Sequence, residues 1–299
     1  MREFIVQHKT QYSYNTSVMV SHQSAHLQPI SNSHQTCRSF DLHIHPEPST
    51  ISQHTDFFGN PTHIFSIEKA HSDLEVTALS EVQVFNPEIP NPSKSVKNQE
   101  VLEYVNNMDN MESPNAIQFT FPSEWTPNNS EIYEIAKKFY LPRSPFLQST
   151  LNLCEYIQKN FEFTSDATDV NTSVFEFLKM KRGVCQDFTH FMLSVIRSIG
   201  LPAQYVSGYL LTNPPNGTPR LLGADASHAY IAIFLPDYGW INLDPTNNMI
   251  CEDKHIVVGY GRDYNDVSVL SGTVTGGMEQ KLNIEVTVSP KEDWNQGNH

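Results

Sequence analysis

Cysteine is scarce in this chain: Cys37, Cys154, Cys185 and Cys251 are the only four in 299 residues, and none forms a CxxC. Four scattered thiols make neither a disulfide framework nor a zinc-finger ligand set, and they agree with a reducing compartment. Basic residues are also short, 19 against 33 acidic, for a net charge of -14. That balance argues against a nucleic-acid surface or an anionic membrane as partner. Long apolar runs are missing as well. After Arg2 and Glu3 the first run is only Phe4, Ile5 and Val6, too short for a signal peptide. No stretch approaches a membrane span. The expectation is a cytoplasmic protein with room for one large domain or two ordinary ones. Histidine is plentiful at 13 residues, so no single one carries weight alone.

Residues 1–85 show the two-residue period of antiparallel strands. Phe40, Leu42 and Ile44 interleave with Asp41, His43 and His45, and Leu74, Val76, Val82 and Val84 repeat the period. Between them "DFFGNPTH" (56–63) holds a Gly59-Asn60-Pro61 turn of the kind that joins strands. The three prolines of "NPEIPNPSKS" (86–95) mark a linker or a long crossing loop. Residues 96–127 carry no single period. From Ser130 the pattern turns helical, with Ile132, Ile135, Ala136 and Phe139 on one face. Ser144 as N-cap and Pro145 at N1 open a second helix to about Asn160. Ser173 and Glu176 have capping-box spacing for a short helix ending near Lys181. Strands return at 203–210, 227–235 and 240–245, and Leu282, Ile284, Val286 and Val288 alternate in the tail. The order predicts an α+β fold: a β-rich N-terminal domain over 1–92, then a domain over 93–299 that includes the C-terminal strands.

In "RGVCQDFTHFMLSVIRSIGLP" (182–202), Phe188, Met192, Val195, Ile196 and Ile199 recur at helical spacing, with Arg197 in the last turn and Gly200 as the stop. Counting back, Cys185 falls in or just before the first turn. Unpaired N–H groups and the positive end of the helix dipole favour thiolate over thiol there. A free cysteine is also a common small core residue, so the reading needs a base. "SHAYIAIFLPDYGWINLDPTN" supplies one. His228, Tyr230, Ala232 and Phe234 share a strand face, and beyond the "PDYG" turn Asn242 and Asp244 share another. An even hairpin register puts His228 and Asp244 on one face, directly opposed or a diagonal step of ~7–8 Å apart. An odd register separates them. Singly, His228 reads as a half-buried histidine and Asp244 before Pro245 as a turn residue. Together, the order Cys, His, Asp is the papain-type arrangement of nucleophile, base and orienter.

"GVCQDFTHFM", "LPAQYVSGYL", "SHAYIAIFLPDYGWINLDPTNN" and "VGYGRDYNDVSVLSGTVTG" resemble the bacterial transglutaminase-like family, within the transglutaminase/papain-like superfamily, densely over 170–290. The strands around "DFFGNP" resemble the β-rich N-terminal region of bacterial members. The resemblance implies a papain/transglutaminase-like core, a Cys-bearing helix packed on an antiparallel sheet. It also implies Cys185 as nucleophile, His228 as base and Asp244 as orienter. Asp187 and His190 match further positions of the family pattern and fit supporting roles, although Asp187 in a first turn also favours the dipole. Gln186, Tyr205, Arg262 and Asp263 are candidates for the cleft. A side chain near Gln204–Tyr205 or in "GRDYND" is the candidate second oxyanion donor.

The expected chemistry is thiol-dependent acyl transfer on an amide of a peptide or protein, through a thioester released to water or to a primary amine. Hydrolysis by a cysteine protease or amidase is favoured over a transglutaminase reaction. An amine pocket needs an acidic group, and Asp263 or Asp266 could supply it, but Arg262–Asp263 reads equally as a structural ion pair. No cofactor or metal is expected. His43 with His45, and Cys251 with His255 as a helical i,i+4 pair, lack a second pair at zinc spacing, so these read as scattered surface histidines. A peptide N-glycanase-like amidase is expected to carry a CxxC…CxxC zinc site. A non-catalytic binding module is expected to have lost one of the three residues.

Overall fold

The computed structural model describes residues 1–86, 88–107, 113–164, 172–212 and 225–296. Five strands come first: β1 (Arg2–Ala25), β2 (Gln35–His45), β3 (Thr50–Thr55), β4 (Pro61–Ile67) and β5 (His71–Val84). Helices α1 (Asn98–Asn106), α2 (Ser113–Ile117), α3 (Ser130–Phe139) and α4 (Phe146–Asn160) follow. Short strands β6 (Glu162–Phe163) and β7 (Arg182–Gly183) pair in parallel on either side of α5 (Val174–Met180), and α6 (Cys185–Arg197) comes next. The chain continues as β8 (Ala203–Leu210), β9 (Ser227–Leu235), β10 (Gly239–Asp244), β11 (Met249–Ile250) and β12 (His255–Gly261). It closes with β13 (Leu270–Gly276), β14 (Gln280–Pro290) and α7 (Lys291–Gln296). No helix among the described residues is long and apolar enough to cross a membrane.

β1 organises the first sheet. Its buried positions are Phe4, Val6, His8, Thr10, Tyr14 and Val18, then Ser21, Gln23 and Ala25. The parity changes at a bulge between Val18 and Val20, and a bulge turns the face a strand buries. β5 lies along one side of the first half of β1 and β14 along the other, while β4 and β13 flank the second half. The bend lets Leu74, Val76 and Ala78 of β5 pack with Phe65 and Ile67 of β4 in one cluster. The C-terminal strands therefore belong to the N-terminal sheet, not to the unit with which 93–299 groups them. Pairing decides this: Phe4 lies opposite Pro290 and Tyr14 opposite Gln280.

The second sheet runs β11-β10-β9-β8-β12, all antiparallel. Ala203, Tyr205, Ala229, Ile231 and Ile233 of this sheet share a core with Phe188, Phe191, Met192, Val195 and Ile196 of α6. Val206, Tyr230 and Ala232 alternate with them and pack instead against Ile30, Cys251 and Val257. The two sheets meet where Tyr209 and Ile256 pack against Phe4, Val82 and Val288. Local signals place most of the helices well. Ser173 and Glu176 cap α5 reciprocally, with the Ser173 N–H on Glu176 Oε2 at 2.9 Å. α4 starts one residue later than its Ser-Pro signal, with Pro145 as the cap.

His8 sits at the junction of the sheets, fully buried, with Nδ1 3.0 Å from the Tyr209 hydroxyl. Burial pulls its imidazolium down to about 4, and burial with the nearby Arg197 charge takes His190 to about 3. The unfolded chain therefore takes up these protons at higher pH than the native one. Their contribution to stability is fully present above pH ~6.5 and is lost as pH falls below it. His8 alone costs roughly 3 kcal/mol by the time pH reaches ~4. Urea midpoints should fall steadily from pH 7 to 4.5, and a flat profile would rule this out.

Candidate active site

Cys185 is the first residue of α6. The helix starts there because the Val184 carbonyl accepts the N–H groups of Asp187 (3.0 Å) and Phe188 (3.2 Å), while Asp187 Oδ2 accepts the Val184 N–H at 2.8 Å. The first turn is thus capped by Asp187, and the Cys185 N–H is left at the helix mouth. Gly183 makes room for that cap. A Cβ there would meet Asp187 Oδ2 at 2.5 Å and the Phe177 ring at 2.9 Å.

The β9–β10 hairpin brings His228 and Asp244 together. Leu243 pairs with Ile231 and Asn242 with Ala232, an even register. Asp244 therefore lies one diagonal step from His228, and His228 Nε2 is 2.7 Å from Asp244 Oδ2. The other side-chain partner of the imidazole is the Cys185 thiol. With Nε2 on the carboxylate, Nδ1 is the ring nitrogen left for it. Cys185, His228 and Asp244 thus form one connected run. Burial pulls the His228 imidazolium down, but the hydrogen bonds to Asp244 and Cys185 and their charges outweigh it, holding the proton well above the ordinary histidine range.

Asp244 is completely buried. Its Oδ1 accepts the Thr246 and Asn247 N–H groups at 3.0 and 3.1 Å, and its Oδ2 accepts the Asn247 amide at 2.6 Å. Burial pushes the carboxyl up, but the hydrogen bonds of His228, His255 and Asn247, with the His228 charge, hold it well below the usual carboxylate range. Sequence reasoning missed Asn247 and His255. For Asn247 a signal existed, since Asp-Pro-Thr-Asn is an Asx-turn pattern. His255 is no surface histidine. It opens β12 rather than pairing helically with Cys251, and its Nε2 lies 3.2 Å from Asp244 Oδ2. One ligand atom from each of His228, Asp244 and His255 lies within 4.8 Å of the others. Ligands on a tetrahedral zinc, at bonds of ~2.0–2.1 Å, stand about 3.3 Å apart. The 2.7 Å contact is a hydrogen bond drawn tighter than that.

The remaining candidates divide. Tyr205 is buried with its ring against His190 and Tyr264, and burial together with the Cys185 charge pushes its phenol well above the ordinary range. Gln186 is half-buried next to Cys185. His190 lies further along α6, where its Nε2 accepts the Tyr264 N–H at 3.2 Å and its ring stacks on Trp125, another residue without a sequence signal. Arg262 does not pair with Asp263. It pairs with Asp266, at 2.9 Å from both Nε and Nη2, because the 3-10 turn at 264–267 brings that residue back over it. Asp263 is buried and caps the same turn, accepting the Asn265 N–H at 2.9 Å and the Trp125 N–H at 3.3 Å. The "DFFGNP" turn docks next to it: Asn60 bonds both the carbonyl and the N–H of Tyr260, each at 2.8 Å.

Burial pushes the Cys154 and Cys251 thiols up, and lifts Cys37 to about 11. Iodoacetamide at pH 6–7 should therefore label Cys185 first. Peptide mapping that shows equal or faster labelling at any other cysteine would contradict the site.

Comparison with known proteins agrees with this architecture. The bacterial transglutaminase-like N-terminal region matches residues 4–83, and the transglutaminase-like superfamily matches 134–245. An uncharacterized Mycobacterium tuberculosis protein is 33% identical over 96% of this chain and 92% of its own length. One from Mycobacterium leprae is 30% identical over 95% and 97%. A protein-glutamine gamma-glutamyltransferase of Pseudomonas aeruginosa matches at 33% identity over 22% of this chain and 10% of its own length. The crystal structure of a "putative cysteine protease" from Cytophaga hutchinsonii shares the fold, with a TM-score of 0.76 at 19% identity, covering 97% of this chain and 91% of that one. The chain belongs to the transglutaminase-like superfamily.

Proposed function

We propose that this protein is a thiol-dependent acyl-transfer enzyme that hydrolyses amide bonds of peptides or proteins. The observation that carries the reading is the connected run from the Cys185 thiol at the mouth of α6 through His228 to buried Asp244. The thiolate attacks the amide carbonyl and forms the C–S bond. The oxyanion is held by the Cys185 N–H, with the Tyr205 hydroxyl as second donor. The C–N bond then breaks as His228 gives its proton to the leaving amine. His228 next takes a proton from water, which attacks the thioester, and the thiol leaves.

The amine-accepting alternative draws on the short match to the γ-glutamyltransferase. It requires an acidic group to hold an incoming ammonium. Asp263 is consumed in capping and Asp266 is paired with Arg262, which favours water as the acceptor. The test offers a glutamine-containing protein, a peptide library and a labelled primary amine at neutral pH. Cleavage that needs Cys185, without label incorporation, is the expected result. Incorporation that vanishes in Cys185→Ala would establish amine transfer instead.

A further inference from the structure

Asp244 carries more donors than a Cys-His-Asp arrangement needs. Oδ2 alone accepts from His228 at 2.7 Å, the Asn247 amide at 2.6 Å and His255 at 3.2 Å. The carboxylate is oriented without His255, because Thr246 N, Asn247 N and the Asn247 amide already fix both of its oxygens. The fold nevertheless brings β12 close to β8 at this point. A Cβ at Gly208 would stand 2.0 Å from the Ile256 carbonyl oxygen, so a larger residue would force apart the two strands that seat His255.

We propose that His255 is a positioning residue that acts on His228 through Asp244: it donates its Nε2–H to the oxygen His228 uses, takes up part of the carboxylate charge, and so keeps the His228 proton transferable. This inference rests on the proposed acyl-transfer chemistry. A general acid works best when its proton is neither lost nor locked at the working pH. A buried carboxylate facing one imidazolium holds the proton tightly, and a second donor on the same oxygen loosens that hold. The tautomer follows from the contact itself, since a ring nitrogen 3.2 Å from Asp244 Oδ2 carries the hydrogen that the carboxylate accepts. His255 Nδ1 and Asn242 Oδ1 are buried without a protein partner, and both residues line a cavity of about 30 Å³ under β10 and β12.

The titratable groups around His228 are Cys185 from α6, Asp244 from β10, His255 from β12 and Tyr230 on its own strand. The Asp244 charge also reaches Cys154 of α4 and Cys251, raising both thiols further. The experiment follows the His228 ring by NMR in histidine-labelled protein, its signal assigned by loss in His228→Gln. His255→Phe keeps the packing and removes the donor, and the His228 imidazolium should then lose its proton about one pH unit higher. His255→Gln, whose amide can still donate, should stay at the wild-type value. A purely structural role would loosen Asp244 and move the transition down. No shift, a downward shift, or a glutamine variant that behaves like phenylalanine would overturn the inference. His255→Met repeats the measurement if phenylalanine disturbs the fold. Preferential alkylation of wild-type Cys185, measured alongside, tests the acyl-transfer reading separately, because it does not depend on His255.

Discussion

With Cys185 as the proposed nucleophile, Cys185→Ala should abolish turnover, by about 10⁴-fold or more, while leaving the fold in place. The thioester has no other route, since the remaining thiols are pushed up by burial and removal of a nucleophile leaves only what the oxyanion donors and binding supply. The structural cost is small. Cys185 is half-buried, and the Thr189 hydroxyl bonds its backbone carbonyl at 2.8 Å, which alanine retains. The Asp187 cap on Val184 is also untouched. Unfolding free energy should change by less than about 1 kcal/mol. Residual activity above a few per cent in the alanine variant would remove Cys185 from the mechanism.

The second large effect comes from Asp244, where two substitutions separate chemistry from stability. In Asp244→Asn the new amide points donors at His228 Nε2, which must then accept. The proton moves to Nδ1, the side that should receive one from the thiol. Wrong-tautomer variants of this kind lose about 10⁴-fold in kcat, and the Asn247 turn survives because an amide oxygen still accepts the Thr246 and Asn247 N–H groups. Asp244→Ala strips the acceptor from both of those N–H groups, from the Asn247 amide and from His255. Orphaning several buried donors costs about 3–5 kcal/mol. Denaturant melts should therefore show alanine far less stable than asparagine, with both inactive. An active asparagine variant would sink the orienting role, and an alanine variant as stable as wild type would sink the hydrogen-bond account.

What the sequence makes legible here is what short range decides. The Cys185 helix, the Ser173–Glu176 cap and the β9–β10 hairpin each depend on periods and turns spanning a few residues. The hairpin register, which sequence leaves open between even and odd, comes out even as the buried faces of both strands pack into the core. Where long-range pairing decides, the signals vanish. His255 meets Asp244 only because β12 pairs with β8 across the whole β9–β11 excursion. The tail strands read correctly as strands, but nothing in Leu282, Ile284, Val286 and Val288 says that β1 is their partner. Arg262 fails for a subtler reason. Adjacent charges in sequence suggest a pair, yet one 3-10 turn presents Asp266 and buries Asp263.

The pairing of Phe4 with Pro290 also sets an order of events during synthesis. β1 is made before β5 and finds it early, but its other edge stays bare until β13 and β14 are made. Closing a loop that long is slow, and an uncovered edge strand invites association with other chains in the interval. Val286 and Val288, which complete the apolar cluster under Tyr209 and Ile256, arrive with the same strand. The sheet that carries His228 is therefore backed only after β14 has been made. The backing of the sheet that carries the proposed base is in this way one of the last steps of folding rather than one of the first.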